Sequence, residues 1–171
     1  MTRRGFTIVE LIITITIMGI LLTLAVVNLT STQLQSRDSE RKGDIEAIGT
    51  AMETFYTAGN GASTSLGRYP STGIATIASV KANLPDANVE SFMAPGIETM
   101  SLVASTNTGT AKDIQSTAGI EPKPTKDQYI YQPIRTDGSV CGSGALDCRK
   151  FNLFYRLEAD NIVYKVTSKN Q

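Results

Sequence analysis

The 171 residues set 16 Lys and Arg against 16 Asp and Glu, so the overall charge lacks the strongly basic balance of a nucleic-acid-binding domain. Histidine is absent, which removes the commonest general base and neutral-pH metal ligand, and no enzyme activity is expected. The two cysteines, Cys141 and Cys148, are too few for a structural zinc site without histidine but sufficient for one disulfide in an exported chain.

At the N-terminus Arg3 and Arg4 precede Gly5, Phe6, Thr7 and Glu10, after which residues 11–27 are all apolar, Gly or Thr. As a helix that run rises about 26 Å, close to the hydrocarbon thickness of a bilayer. No charge follows before Arg37. The two arginines predict a cytoplasmic N-terminus and an extracytoplasmic remainder. The stretch after Val27 has no small-residue A-x-A cleavage pattern, so the segment reads as an anchor that stays attached. A plain anchor leaves Glu10 unexplained, because a carboxylate at the edge of hydrocarbon costs about 3 kcal/mol on insertion scales. Either it has a partner, or it is an ordinary helix-flanking charge beside Arg3 and Arg4.

Basic residues followed by Gly5, Phe6, Thr7 and Glu10 and then a long apolar helix resemble the N-terminal signature of type IV pilins and the related pseudopilins. The resemblance implies that a prepilin peptidase cuts between Gly5 and Phe6 on the cytoplasmic side, removing the leader 1–5, and that Phe6 is then N-methylated. It also implies that Glu10 pairs with the Phe6 amine of the next subunit during assembly. An ammonium at the positive end of a helix dipole is unfavourable without such an anion. Gly19 matches a usual glycine of the family. Val27 stands where many members have a helix-kinking proline, so no proline kink is expected there.

Residues 6–29 thus form the membrane and filament-core segment, and residues 30–58 read as its amphipathic continuation, in all roughly 80 Å of helix. Ile45, Ile48, Met52 and Phe55 recur at spacings of three and four and make one apolar stripe. Arg37 with Glu40, Asp38 with Lys42 and Arg41 with Asp44 are spaced for ion pairs of a few tenths of a kcal/mol. The stretch 37–46 is therefore either a solvated face or a source of pairs between subunits. "AGNGAS" ends the helix.

Residues 59–128 form a variable, loop-rich region. Its "GRYPS" resembles the "GxYP" turn after the long helix of the same family, with Tyr69 as the anchor of that turn. A short helix is predicted over 76–83 before Pro85, and exposed loop or weak strand over 105–119. In the last region, 129–171, Phe151, Leu153, Tyr155 and Leu157 alternate with Asn152, Phe154, Arg156 and Glu158, the period of a strand with one buried face. Ile162, Tyr164 and Val166 repeat it, and a two-residue turn at Asp160 and Asn161 predicts Leu157 opposite Tyr164 and Tyr155 opposite Val166. "YIYQPI" supplies a further strand. The expected fold is α+β, a long N-terminal helix packed on a small C-terminal antiparallel sheet, since neither element can hide its apolar face alone. Cys141 and Cys148 bracket "GSGALD" in a strand connection. Export favours a disulfide there, and a cytoplasmic domain would leave two thiols.

These features imply a structural subunit of a type IV pilus-like filament, held first in the cytoplasmic membrane and then carried to the cell surface. By the resemblance its partners are other copies of the chain, the prepilin peptidase, and a membrane assembly platform with cytoplasmic ATPases. Adhesion, twitching motility and DNA uptake are the uses the family suggests. Nucleic acid or a host surface is not supported by the small excess of Lys and Arg after Ile120. The alternatives are a pseudopilin of a type II secretion or competence machine, and a monomeric signal-anchored binding module. No cofactor is expected; the only ion considered is calcium, at Asp127, Asp137, Asp147 and Asp160 or Asn161, where scattered surface carboxylates are the simpler reading.

Overall fold

The computed structural model describes residues 5–61 and 65–170, side chains at 27 and 28 excepted. Arg3 and Arg4 lie outside the described residues. The first helix, α1, spans Ile8–Ala58, and Gly59 ends it with φ +69°, a left-handed position that a side chain would strain. The chain forms two compact units, Met1–Arg37 and Asp38–Gln171, and α1 contributes to both.

In the first unit the large apolar side chains from Phe6 to Val26, and Leu29, are exposed, Ile8 78% and Leu22 66% among them. The threonines do not interrupt this apolar surface. Thr14 Oγ1 donates to the Leu11 carbonyl at 2.8 Å, Thr16 to Ile12 at 2.7 Å and Thr23 to Ile20 at 2.7 Å. Each hydroxyl is satisfied by its own helix, which lets Thr sit in an apolar span without an unpaired donor. By length and composition α1 is able to cross a membrane.

In the second unit the predicted stripe is the core: Ile45, Ile48, Met52 and Phe55 are all buried. They pack with Tyr129, Tyr131, Phe151, Leu153 and Tyr155 of the sheet. A short helix α2, Ile77–Asn83, starts where expected, its N-cap Thr76 accepting the Ser79 amide. Four strands follow, β1 Leu102–Ala104, β2 Tyr129–Arg135, β3 Cys148–Arg156 and β4 Val163–Thr167, in the order β1-β2-β3-β4.

The sheet is mixed, not antiparallel throughout. β1 runs parallel to β2, Leu102 opposite Tyr129, while β2, β3 and β4 are antiparallel. The segment between β1 and β2 is long enough to carry the chain back across the sheet, which a parallel pair requires. That crossover also corrects the one-faced reading of β3. Phe154 is fully buried with Ile130 and Ile120 on the face opposite the α1 stripe. Asn152 and Gln132, on that same second face, are hydrogen-bonded to each other, and Gln132 also donates to the Ile114 carbonyl. Residues 105–119 thus contribute to the cover of the sheet: they hold a turn of 3-10 helix, Lys112–Gln115, and Ser105 is buried. Gly119 permits this fold-over, since a Cβ there would lie 2.0 Å from the Asp113 carbonyl oxygen.

The β3–β4 register also differs from expectation: Tyr155 faces Tyr164 and Leu153 faces Val166. The connection is wider than a two-residue turn. Asp38 on α1 accepts the amides of Glu158 and Ala159 at 2.8 and 2.9 Å, and Asp160 accepts the Ile162 amide, holding a broader loop open. The displacement is two residues, so every side chain keeps its predicted face.

Candidate functional site

Residues at the start of α1 form a reciprocal cap. Thr7 donates to Glu10 Oε2 through its amide at 3.0 Å and its hydroxyl at 2.8 Å, while the Glu10 amide donates to Thr7 Oγ1 at 3.2 Å. This is a capping box, which satisfies amides that the first helical turn leaves without partners. It also fixes the Glu10 side chain at the positive end of the helix dipole. Oε2 is occupied by Thr7, whereas Oε1 has no bond among the described residues. Phe6, 83% exposed, and Gly5 lie immediately before the cap, with no covering residue among the described residues. The pattern T-x-x-E before an apolar run was present in the sequence as "TIVE", and it is the signal by which Thr7 is identifiable as the partner of Glu10.

The charged turn of α1 in the second unit is divided: Asp38, Arg41 and Asp44 belong to the domain interior, while Glu40, Lys42 and Glu46 face solvent. Arg41 is 1% exposed and Asp38 5%. Arg41 donates to Asp38 at 2.9 Å, to Glu158, and through Nε to the Lys126 carbonyl at 2.8 Å. The guanidinium thereby ties α1 to two loops of the sheet at once, which its planar fork of donors permits. Asp38 pairs with Arg41 and not with Lys42 as its spacing had suggested. Asp44 accepts the Tyr129 hydroxyl at 2.8 Å. Burial pushes the Asp44 carboxyl up to about 6, the Tyr129 bond opposing, and burial likewise raises the Tyr129 hydroxyl well above the ordinary tyrosine value.

Further along the helix, Glu53 holds Lys169 and Asn170. Its carboxylate accepts the Tyr69 hydroxyl at 2.8 Å, the Lys169 amide at 2.7 Å and the Asn170 side-chain amide at 3.0 Å. Tyr69 anchors its turn as expected: it is buried, its amide donates to the Cys148 carbonyl at 2.8 Å, and its ring packs edge-on against Phe151. Burial raises its hydroxyl to about 12. Cys141 and Cys148 form a disulfide with Cα atoms 5.8 Å apart.

The aspartates considered for calcium have separate partners. Asp137 accepts from Ser139, Asp147 pairs with Arg135 at 2.9 Å, and Asp160 accepts the Tyr164 hydroxyl, which holds its carboxyl low. Among the described residues no three His, Cys, Asp or Glu side chains are gathered to hold a metal ion.

Residues 1–26 match the family described as the prokaryotic N-terminal methylation motif. Over 55 residues the chain is 41% identical to the type IV major pilin protein PilA of Myxococcus xanthus, a match covering 32% of this chain and 25% of that protein. The chain thus spans about a quarter of the length of this curated relative. No solved structure matches it.

Proposed function

We propose that this chain, whose N-terminus is of the prepilin type common to type IV pilins and pseudopilins, is the structural subunit of a pilus-like filament. It enters the cytoplasmic membrane through α1 with its N-terminus in the cytoplasm. Prepilin peptidase cuts after Gly5, Phe6 is methylated, and the mature chain assembles with further copies through its first unit. Assembly on a membrane platform is driven by cytoplasmic ATPases, and the finished fibre serves adhesion, twitching motility or DNA uptake.

The observation that carries this reading is the prepilin motif at the head of a helix that exposes its large apolar side chains from Phe6 to Val26, and Leu29 beyond them. Covering each such side chain contributes about 1.5–3 kcal/mol, so the segment is stable only in lipid or against other copies. Glu10 supplies the link between those two environments. With Oε2 held by Thr7, Oε1 is oriented and available to an incoming Phe6 ammonium. A carboxylate that is costly in lipid becomes paired on assembly, which favours extraction and sets register.

The test is mass spectrometry of N-terminal peptides from filaments sheared off cells and from the washed envelope. Methylated Phe6 in the sheared fraction supports the pilin reading. Methylated Phe6 confined to the envelope favours the pseudopilin, which shares this N-terminal chemistry. Chains that keep Met1 in both fractions overturn both and leave the anchored monomer.

A further inference from the structure

We propose that Asn60 is a site of self-modification, at which the chain deamidates and acquires a negative charge as it ages. Of its asparagines, only Asn60 is followed by glycine. The reaction is an attack of the next residue's backbone nitrogen on the asparagine Cγ, and a Cβ on that next residue hinders the approach.

Gly61 removes the hindrance twice over. It has no Cβ, and among the described residues nothing lies within 4 Å of where one would stand. Its φ of +88° is a conformation glycine adopts at little cost. Both residues are exposed, so water reaches the intermediate. The other candidates lack one of these conditions. Asn152 is buried and bonded to Gln132, Asn83 precedes Leu84, and Asn107 precedes Thr108 and is bonded to Gly119 and Glu121.

The step balances without a co-reactant other than water. A Gly61 N to Asn60 Cγ bond forms, the Cγ to Nδ2 bond breaks, and Nδ2 leaves as ammonia with the proton from the Gly61 amide. Water then opens the cyclic imide at either carbonyl, leaving an aspartyl or an isoaspartyl linkage.

The surroundings of Asn60 define what this changes. Asn60 Nδ2 donates to Asn83 Oδ1 at 3.0 Å, tying the turn after α1 to the end of α2, and Asn83 is held in turn by its own bond to the Ser79 carbonyl. A carboxylate at position 60 puts an acceptor against the Asn83 oxygen and removes the tie. The new charge also lies two residues beyond Ala58, the last residue of α1, where the helix dipole disfavours an anion. Both side chains line one cleft of about 280 Å³ with Ser65, Arg68 and Ser143, so the modification alters that surface. The formal charge moves from zero to minus one per copy.

The experiment is peptide mapping by mass spectrometry of the full-length chain in detergent, incubated at neutral and mildly alkaline pH, with fragmentation that separates aspartate from isoaspartate. Asn60 is expected to convert roughly tenfold or more faster than any other asparagine, because only glycine leaves the attacking nitrogen unshielded. The conversion quickens as pH rises, and Asn60→Gln suppresses it. Asn83→Ala, which removes this one bond from the leaving amide, is expected to raise the rate several-fold while circular dichroism stays unchanged. An Asn60 that stays intact in the folded chain while the denatured chain converts overturns the proposal, as does earlier conversion at another asparagine. An unchanged rate in Asn83→Ala overturns the restraining role of that bond.

Discussion

Asp44 is 9% exposed and faces Tyr129 at the helix–sheet interface, with its carboxyl raised to about 6 from an ordinary 3.8. The folded chain therefore holds a proton that the unfolded chain has released between about pH 4 and 6. Stability from this group is fully present below the lower value and lost as pH rises through the upper one. Asp44→Asn, which keeps an oxygen for the Tyr129 hydroxyl, is expected to be about 1–2 kcal/mol more stable than the parent at neutral pH, allowing for partial solvent screening. The difference should vanish below about pH 4, as read from urea unfolding followed by tyrosine fluorescence. Arg41 behaves oppositely. Its removal in Arg41→Met takes the cation from buried Asp38 and half-buried Glu158, at an expected cost of about 3–5 kcal/mol in the same measurement. Arg41→Lys should recover little of it, because one ammonium cannot serve two carboxylates and the Lys126 carbonyl in the directions the guanidinium fork does. The spacing of these charges along α1 suggested weak surface pairs. Their depth depends on loops more than 80 residues away, which local sequence does not reveal.

At the scale of elements, periodic features were legible and connections were not. The Ile45 to Phe55 stripe, the N-cap of α2 at Thr76 and the alternation in β3 each express a local repeat or signal that survives folding. The parallel strand β1 has three residues and no repeat to detect. The β3–β4 connection took its width from Asp38, a residue of α1. The Cys141–Cys148 disulfide was readable from the export that the N-terminal segment predicts and from a short separation. Its loop closure is worth about 2.5 kcal/mol by chain entropy. Replacing both cysteines by serine should lower unfolding stability by about that amount, when compared by urea titration with the oxidised parent.

For the whole molecule, processing and assembly test different residues at the head of α1. Gly5→Val is expected to leave residues 1–5 attached, seen as an unprocessed mass. Glu10→Gln keeps an acceptor for the Thr7 cap but removes the charge, so it separates the two roles of this side chain. It should be cut and methylated normally yet give several-fold less sheared filament, while Thr7→Ser retains yield. Equal filament from Glu10→Gln and the parent would show that capping alone explains the carboxylate.

The sequence by itself determined the apolar N-terminal helix, its motif, the helical core stripe and the phase of the main strands. Those properties follow from side-chain periodicity and from the order of a few residues, which no distant contact alters. Only the tertiary structure decided that Asp38, Arg41 and Asp44 of α1 are buried, that residues 105–121 cover the second face of the sheet, and that Glu53 holds Lys169 and Asn170. Each of these joins segments far apart in the chain, where the partner of a polar group is chosen by whichever donor or acceptor burial brings within reach.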